Sequence, residues 1–219
     1  MKSIKFYIIS CLLVSCTITP NFERYSMIDP NNFSKLNKNK THILINLDSQ
    51  TLFLKTRNKE KEYPISSSAF GIGNLQNSFK TPLGAHVISE KIGKKMPKGA
   101  VFKGRIWTNE IAQIIEDPID IPEDVITSRI LWLDGLEKGR NRGGIVDSKS
   151  RYIYIHGTAE EGLIGQPASL GCIRMLNDDV IEIFNKVRVG TQVLIFSNKE
   201  LYKTSVSYTH LRAHETLDN

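Results

Sequence analysis

Apolar and polar residues alternate along much of the chain after residue 40, which is the pattern of half-buried β-strands. Apolar side chains fall at every second position in residues 43–47 and again from Leu52 to Leu54. The turn-forming triplet Asp48-Ser49-Gln50 separates the two runs, so together they predict a hairpin. Similar runs predict further strands at residues 63–69, 85–90, 130–133, 152–156 and 191–196.

Helical periodicity is clear in one segment, which follows the last cysteine. Its apolar side chains are spaced as on one face of a helix: Val180, Ile181, Phe184 and Val187. Asn177 precedes them as the expected N-cap, and Gly190 ends the run. Residues 109–116, which Pro118 follows, predict a second and shorter helix. The chain is therefore expected to fold as a mainly β domain with one main helix.

The N-terminus has the features of an export signal. Two lysines precede an apolar run, residues 6–14, that is too short to span a bilayer. The run ends in Leu13-Val14-Ser15-Cys16, which resembles a bacterial lipobox. Residues 1–16 are therefore expected to be a signal peptide with lipidation at Cys16; the alternative is a plain signal peptide that is removed with its cysteines. Both interpretations predict an exported protein of the cell envelope or periplasm, and the first adds a membrane anchor.

Composition divides the rest of the chain into three segments. Residues 17–40 are rich in Asn, Pro, Ser and Lys without any period and are expected to be a tether, with an ordered extension packed on the domain as the alternative. Residues 41–198 are expected to form the folded domain. Residues 206–219 look like one reading frame of a sequencing-library adapter, so they are excluded from the fold.

The overall charge restricts the partners of the protein. The 219 residues are 40% hydrophobic, which is enough for a core, and carry a formal charge of +6. A basic balance suits anionic lipid or an anionic wall polymer. Basic residues are scattered and are not interleaved with aromatic residues, so nucleic-acid binding is not expected. No metal is expected, because no His/Cys/Asp cluster has metal-ligand spacing.

The candidate chemistry lies in one cysteine and one histidine. Cys172 is the only cysteine outside the targeting segment, so lipidation of Cys16 would leave it without a disulfide partner. An unpaired thiol in an exported protein predicts a nucleophile, and His156, 16 positions earlier, is the candidate base. The alternative for the cysteine is a small buried apolar residue. Taken alone, such a pair fits structural roles better than catalysis.

Glycines flank both residues. Gly157 leaves its carbonyl accessible, and that carbonyl is expected to orient the ring of His156. Gly171 permits a tight backbone approach before the nucleophile. The backbone N–H groups of Leu170, Gly171 and Cys172 are the expected donors to an oxyanion.

Longer motifs change the balance between these interpretations. The stretches Tyr154-Ile-His-Gly-Thr158 and Ile164-Gly-Gln-Pro-Ala-Ser-Leu-Gly-Cys-Ile-Arg-Met175 resemble the active-site signature of the L,D-transpeptidase (YkuD-like) catalytic domain family. Residues 45–52, 81–84 and 99–102 resemble strand and turn signatures of the same family. The resemblance implies a β-sandwich or barrel with one main helix after the catalytic cysteine. It also implies that Cys172 is the nucleophile and His156 the proton donor and acceptor.

The reaction that the resemblance implies is acyl transfer on peptidoglycan stem peptides, without a cofactor. The thiol would attack the bond between the L-centre of the diamino acid at position three and the following D-Ala, which leaves. An amine then takes the acyl group and forms a 3→3 cross-link or anchors a protein to the wall. Alternatives are a carboxypeptidase or endopeptidase, in which water is the acceptor, and a catalytically weakened wall-binding lipoprotein.

One position departs from the family pattern, and four more are candidate site residues. Leu170 stands where the family usually has a second histidine, which removes any contribution from a second imidazole. Arg174 is expected to bind a substrate carboxylate or to bond backbone carbonyls of its loop. Ser169 is expected to orient the turn or to touch substrate, with the structural role favoured. Tyr154 and Thr158 flank His156 and are expected to line the cleft.

Overall fold

The computed structural model describes residues 40–122 and 124–199. The expected signal peptide, residues 17–39 of the expected tether and the adapter-like segment therefore lie outside the described residues. No helix among the described residues is long and apolar enough to cross a bilayer.

Ten strands and one α-helix make up the regular structure of the described residues. The strands are β1 His42–Asn46, β2 Thr51–Lys55, β3 Glu60–Ser66, β4 Gly84–Ile92, β5 Ala100–Lys103, β6 Ile106–Ile111, β7 Ile126–Gly135, β8 Tyr154–Thr158, β9 Ile173–Met175 and β10 Gln192–Phe196. The helix α1 is Asn177–Lys186, and two short 3-10 turns lie at Gly144–Val146 and Glu161–Leu163.

The strands form a sheet that closes on itself. Its order is β4-β10-β1-β2-β3-β9-β8-β7-β5-β6, and β4 also pairs with β7. Eight strands therefore make a ring, and β5 and β6 extend from β7 as a hairpin. Closure pairs strand edges that would otherwise be open to other chains. The prediction of a mainly β domain with one main helix after Cys172 is confirmed.

The core lies inside the ring, where alternate strand residues meet the helix. Its buried apolar residues include Ile43, Ile45, Leu52, Leu54, Ile65, Leu131, Leu133, Ile155 and Ile173. Helix α1 contributes Val180, Ile183 and Phe184 to the same core and packs on β7 and β8. The helix therefore supports β8, the strand that carries His156.

Asn177 differs from its predicted role. It is the first helical residue, and Leu176 occupies the N-cap position. The side chain of Asn177 is fully buried and turned away from the helix end. Its Nδ2 donates to the Thr158 carbonyl at 2.8 Å, and its Oδ1 accepts from Thr127 at 2.6 Å. Asn177 thus ties α1 to β8 and β7 instead of capping α1.

The predicted short helix at residues 109–116 is wrong. Its first part belongs to β6, and the rest is irregular. The backbone N–H groups bond to distant segments, since Ala112 donates to Gly99 and Ile115 donates to Ala159. Pairing with distant segments is favoured here, because an isolated helix of this length is only marginally stable.

Candidate active site

Pairing of β8 with β9 places His156 and Cys172 on the same face. The two strands run parallel, with Ile155 opposite Ile173 and His156 opposite Arg174. Side chains alternate along a strand, so the two isoleucines enter the core and their neighbours face the other way. Cys172 directly precedes β9 and lies on the face of His156. Two residues 16 positions apart are thereby brought to the same face of adjacent strands.

A sharp turn presents the thiol of Cys172, which is half-buried. Gly171 has φ +119°, a conformation that side-chain-bearing residues rarely adopt. The hydroxyl of Ser169 donates to the Cys172 carbonyl at 2.6 Å and accepts from the Gly171 N–H at 3.2 Å. Because Ser169 is fully buried and its hydroxyl is used twice, it orients the turn and does not reach a substrate.

The backbone of the preceding strand contacts the sulfur atom itself. Sγ of Cys172 accepts from the Tyr154 N–H at 3.4 Å and donates to the Tyr152 carbonyl at 3.3 Å. The thiol is therefore held at the start of β8, two residues before His156.

The ring of His156 is fixed at one nitrogen and open at the other. Nδ1 lies 2.7 Å from the Gly157 carbonyl oxygen, which can only accept, so Nδ1 carries the proton. Nε2 then presents a lone pair, and it is buried without any hydrogen-bond partner. A Cβ on Gly157 would lie 2.6 Å from Oδ1 of Asn177, so glycine is required for the strand to approach α1. This arrangement makes Nε2 the free base of the site.

Burial sets the protonation of both groups. It lowers the pKa of His156 below its usual 6.5, so the imidazole is neutral at pH 7. It raises the pKa of the Cys172 thiol to about 12, and the nearby carboxylate of Asp124 adds to this increase. The Cys172 thiol and the His156 imidazole are therefore both neutral at pH 7.

Arg174 is buried and forms ion pairs with two carboxylates. Its NH1 donates to Oε2 of Glu160 at 2.7 Å, and its Nε lies 3.0 Å from Oδ1 of Asp124. The side chain is only 3% exposed. The two roles expected for Arg174 from the sequence, binding of a substrate carboxylate and bonding of loop carbonyls, therefore do not fit its position. Arg174 instead holds the side chains of Glu160 and Asp124 near His156.

The comparison of the sequence with known families identifies this arrangement. The model of the L,D-transpeptidase catalytic domain, YkuD, matches residues 40–195. The chain belongs to the L,D-transpeptidase catalytic domain family.

Individual relatives match over shorter stretches. YqjB of Bacillus subtilis is 45% identical over 53 residues, which are 24% of this chain and 30% of that protein. ErfK/SrfK of Escherichia coli is 41% identical over 68 residues, which are 31% of this chain and 22% of that protein. Both are named as L,D-transpeptidases, and each match spans less than a third of the relative's length.

Solved L,D-transpeptidase structures are similar at lower identity. The Mycobacterium smegmatis enzyme has a TM-score of 0.43 at 17% identity, covering 72% of this chain and 58% of that chain. An Enterococcus faecium enzyme has a TM-score of 0.44 at 19% identity, covering 72% of this chain and 50% of that chain.

Leu170 lies two residues before Cys172 and borders a surface cavity. Its side chain is 51% exposed, and the cavity has a volume of about 260 Å³. The other residues that line this cavity are Gln76, Asn77, Phe79, Ser150, Arg151, Tyr152 and Ile153. An apolar side chain therefore borders this cavity, where it can contact a ligand but cannot donate a hydrogen bond.

Thr158 and Tyr154 have different positions from those expected at the cleft. Thr158 is fully buried, and its hydroxyl oxygen accepts from the Glu160 N–H at 3.1 Å, so it has no surface for a substrate. The ring of Tyr154 is also buried, and its hydroxyl accepts from Arg105 at 3.2 Å. Tyr154 thus contacts the Cys172 thiol through its backbone N–H, and Thr158 supports the strand.

Two features of the site were not predicted from the sequence. Arg105 extends from the β5–β6 hairpin over Trp132. Arg151 donates to the carbonyls of Asn74 and Lys80 and so holds the loop that borders the cavity. The only sequence signal for the first feature is Gly104, which marks a turn before Arg105. The described residues contain no group of His, Cys, Asp and Glu that could hold a metal ion.

Proposed function

We propose that the protein is a peptidoglycan L,D-transpeptidase that uses Cys172 as nucleophile and His156 as general base and acid. The observation that carries this proposal is the unpartnered Nε2 of His156 on the same face as the thiol. A buried imidazole nitrogen without a partner is unfavourable for stability, and a reacting thiol proton would satisfy it. Membership of the family supports the choice of stem peptides as substrate.

The reaction has two balanced halves. Nε2 of His156 takes the thiol proton while Sγ attacks the carbonyl that links the L-centre of the diamino acid to D-Ala. The tetrahedral intermediate collapses to a thioester, and D-Ala leaves as an amine that receives the proton from His156. An acceptor amine then attacks the thioester and gives its proton to His156, which returns it to the sulfur. The product is a 3→3 cross-link or a protein attached through a lysine.

The resting state of the thiol determines when the proton moves. A thiol pKa of about 12 leaves almost no thiolate at pH 7. His156 is neutral and able to accept a proton at the same pH, because its own pKa is lowered. Deprotonation is therefore coupled to attack on bound substrate.

Two other functions remain as alternatives. If water replaces the amine, the same site is an L,D-carboxypeptidase or a cross-link endopeptidase. The exposed Leu170 favours a third candidate, a wall-binding lipoprotein with weakened catalysis, because an imidazole is absent at this position.

Product analysis separates these functions. Purified protein is incubated with disaccharide tetrapeptide, and D-Ala, dimer and tripeptide are quantified. We expect D-Ala and dimer from the wild type and neither from Cys172→Ala. Tripeptide without dimer would indicate hydrolysis. If the wild type gives no product under conditions where Leu170→His does, the transpeptidase proposal fails and the weakened form is favoured.

A covalent probe tests whether the site is organised for acyl transfer. A carbapenem is expected to add once to the wild type and not to Cys172→Ala, as measured by intact mass. Iodoacetamide serves as the control for an accessible thiol. Labelling by iodoacetamide without any carbapenem adduct would contradict a preorganised acyl-transfer site.

We further propose that the protein is exported to the cell envelope and anchored through Cys16. The motif Leu13-Val14-Ser15-Cys16 supports this proposal. Expression in bacteria that are fed labelled palmitate is expected to label the wild type and not Cys16→Ala. Cys11→Ala is the matched control and is expected to keep the label. Unlabelled wild-type protein in the soluble periplasmic fraction would instead indicate a plain signal peptide.

A further inference from the structure

Arg105 occupies a turn position that normally disfavours a long side chain. Gly104 and Arg105 form the two-residue connection between β5 and β6, since Lys103 pairs with Ile106. Both turn residues have positive φ, +54° and +69°. Such turns prefer Asn and Gly, because a larger residue with positive φ is strained. Strain of this kind is concentrated at functional sites.

The turn places the guanidinium on three aromatic side chains, which we call the aromatic shelf: Trp132, Tyr152 and Tyr154. The guanidinium carbon of Arg105 lies 4.5 Å from the ring centroid of Trp132 and 5.2 Å from that of Tyr152. NH1 donates to the Tyr154 hydroxyl at 3.2 Å. Trp132 packs edge-on against Tyr154 at 5.7 Å, so the shelf is itself ordered. Cation–π contacts and this hydrogen bond hold the charge in one place.

The aromatic shelf is continuous with the nucleophile. The carbonyl of Tyr152 and the N–H of Tyr154 are the two backbone groups that contact Sγ of Cys172. Cys172 and Trp132 both pack against the apolar cluster that contains Tyr154. Arg105 therefore lies over aromatic residues whose backbone contacts the thiol.

The charge of Arg105 is not neutralised by a carboxylate within residues 40–122 and 124–199. Arg174, by contrast, is paired with Glu160 and Asp124, and Lys149, which also lies over Trp132, is 3.2 Å from Glu90. Only one donor group of Arg105 is used, by a neutral hydroxyl. A guanidinium offers five N–H donors in a fork that matches a carboxylate. The positioned cation therefore lacks the anion that its geometry fits.

We propose that Arg105 binds a carboxylate of the donor stem peptide and positions that peptide for attack by Cys172. This inference rests on the proposed function. The carboxylate has two possible sources: the C-terminal D-Ala and the side chain of the diamino acid. One of the two roles expected for Arg174 from the sequence, binding of a substrate carboxylate, thus falls to Arg105, which is half-buried and has no carboxylate partner among the described residues.

Kinetics with amidated substrates test the proposal in the full chain, purified in detergent. With disaccharide tetrapeptide, Arg105→Gln is expected to reduce kcat/KM by about tenfold to hundredfold, because a charge-assisted hydrogen bond is lost. Arg105→Lys retains the charge and is expected to recover part of this loss. Lys103→Gln removes the same charge from an exposed neighbour on the hairpin and is expected to change kcat/KM less than twofold.

Two substrate variants identify the carboxylate. One carries an amide at the C-terminal D-Ala, and the other carries an amide at the diamino acid side chain. For the carboxylate that Arg105 binds, amidation is expected to lower wild-type kcat/KM as much as Arg105→Gln does, and to cause no further loss in Arg105→Gln. If the losses from the variant and from each amide simply multiply, or if Arg105→Gln matches the wild type, the proposal is overturned.

A binding measurement separates this proposal from the proposed function. The affinity of tetrapeptide for Cys172→Ala is compared with that for Cys172→Ala/Arg105→Gln by calorimetry. We expect about tenfold weaker binding in the double variant, and no difference with the amidated peptide. Equal affinities for the carboxylate peptide would overturn the role of Arg105 even in an active enzyme. A wild type without turnover would contradict the proposed function and leave this comparison intact.

Discussion

Two buried histidines, His86 and His156, differ in whether their Nε2 atom has a hydrogen-bond partner. His86 and His156 are 0% and 1% exposed, and Nδ1 of each lies within 2.9 Å of a glycine carbonyl, at Gly84 and Gly157. Nε2 of His86 is 2.9 Å from the Ser148 hydroxyl, whereas Nε2 of His156 has no partner. Burial and a fixed ring are thus common to both sites. A free lone pair beside a half-buried thiol distinguishes the candidate catalytic histidine.

The surroundings extend this difference. Burial lowers the pKa of both histidines, to about 4 for His86. The charges beside His156 are the half-buried carboxylate of Asp124 and the paired Arg174, both of which act on its pKa. An imidazolium formed during reaction would therefore lie near Asp124, which favours it, while the resting ring stays neutral. His86 is organised only for a permanent neutral state.

The largest predicted effect is the loss of activity when His156 is replaced by glutamine; the same replacement of His86 is the control. His156→Gln is expected to reduce kcat/KM for D-Ala release by about 10²- to 10⁴-fold, since the general base is lost. His86→Gln retains hydrogen-bonding groups and is expected to reduce kcat/KM less than threefold, when rates are expressed per folded protein. Circular dichroism of each variant checks the fold. Similar losses in both variants would remove the distinction drawn from Nε2.

The next effect is on stability and comes from the ion pairs beside His156. Arg174→Met leaves the buried Glu160 and the half-buried Asp124 without their cation, so the free energy of unfolding is expected to fall by about 3–4 kcal/mol. The exposed pair of Lys98 and Asp178 provides the control. Lys98→Met is expected to change the free energy of unfolding by less than about 1 kcal/mol. Urea unfolding at pH 7 measures both. Equal effects would mean that Arg174 is not part of a buried network.

Acid should destabilise the region of His86. In the unfolded chain this histidine titrates near 6.5 and in the folded protein near 4, so the unfolded state binds the proton first as pH falls. Its contribution is complete above pH 6.5, and about 3 kcal/mol is expected to be lost between pH 7 and pH 4. Urea unfolding across this range should therefore show a steeper decline for the wild type than for His86→Gln. Parallel curves would count against a neutral buried His86.

The smallest effect is expected at Leu170. Because this side chain is half exposed, an imidazole there would be solvated and would contribute little beside His156. Leu170→His is expected to raise kcat/KM less than tenfold, and Leu170→Gln, of similar polarity without a base, should behave alike. Initial rates of D-Ala release measure both. A gain above a hundredfold for histidine alone would show that one nitrogen at position 170 matters as much as Nε2 of His156.

Local patterns in the chain predicted much of the fold. Alternation over residues 43–47 and 191–196 appears as β1 and β10, and helical spacing after Cys172 appears as α1. These predictions succeed because burial of one face imposes a period on the sequence. The segment at residues 109–116 failed because its spacing suits a helix, whereas its backbone donors found partners on other strands. Burial of Asn177 was likewise decided by a hydrogen-bond network across three elements.

The sequence by itself determined the family, the mainly β class and the residue types of the candidate nucleophile and base. Sequence motifs and the spacing of apolar residues are local properties of the chain, so the sequence alone shows them. The tertiary structure alone decided which polar groups are satisfied. Pairing of β8 with β9 left Nε2 of His156 free, and Asp124 and Glu160 engaged Arg174. The β5–β6 turn put Arg105 on the aromatic shelf. Contacts between distant segments produce these outcomes, and no spacing within one segment encodes them.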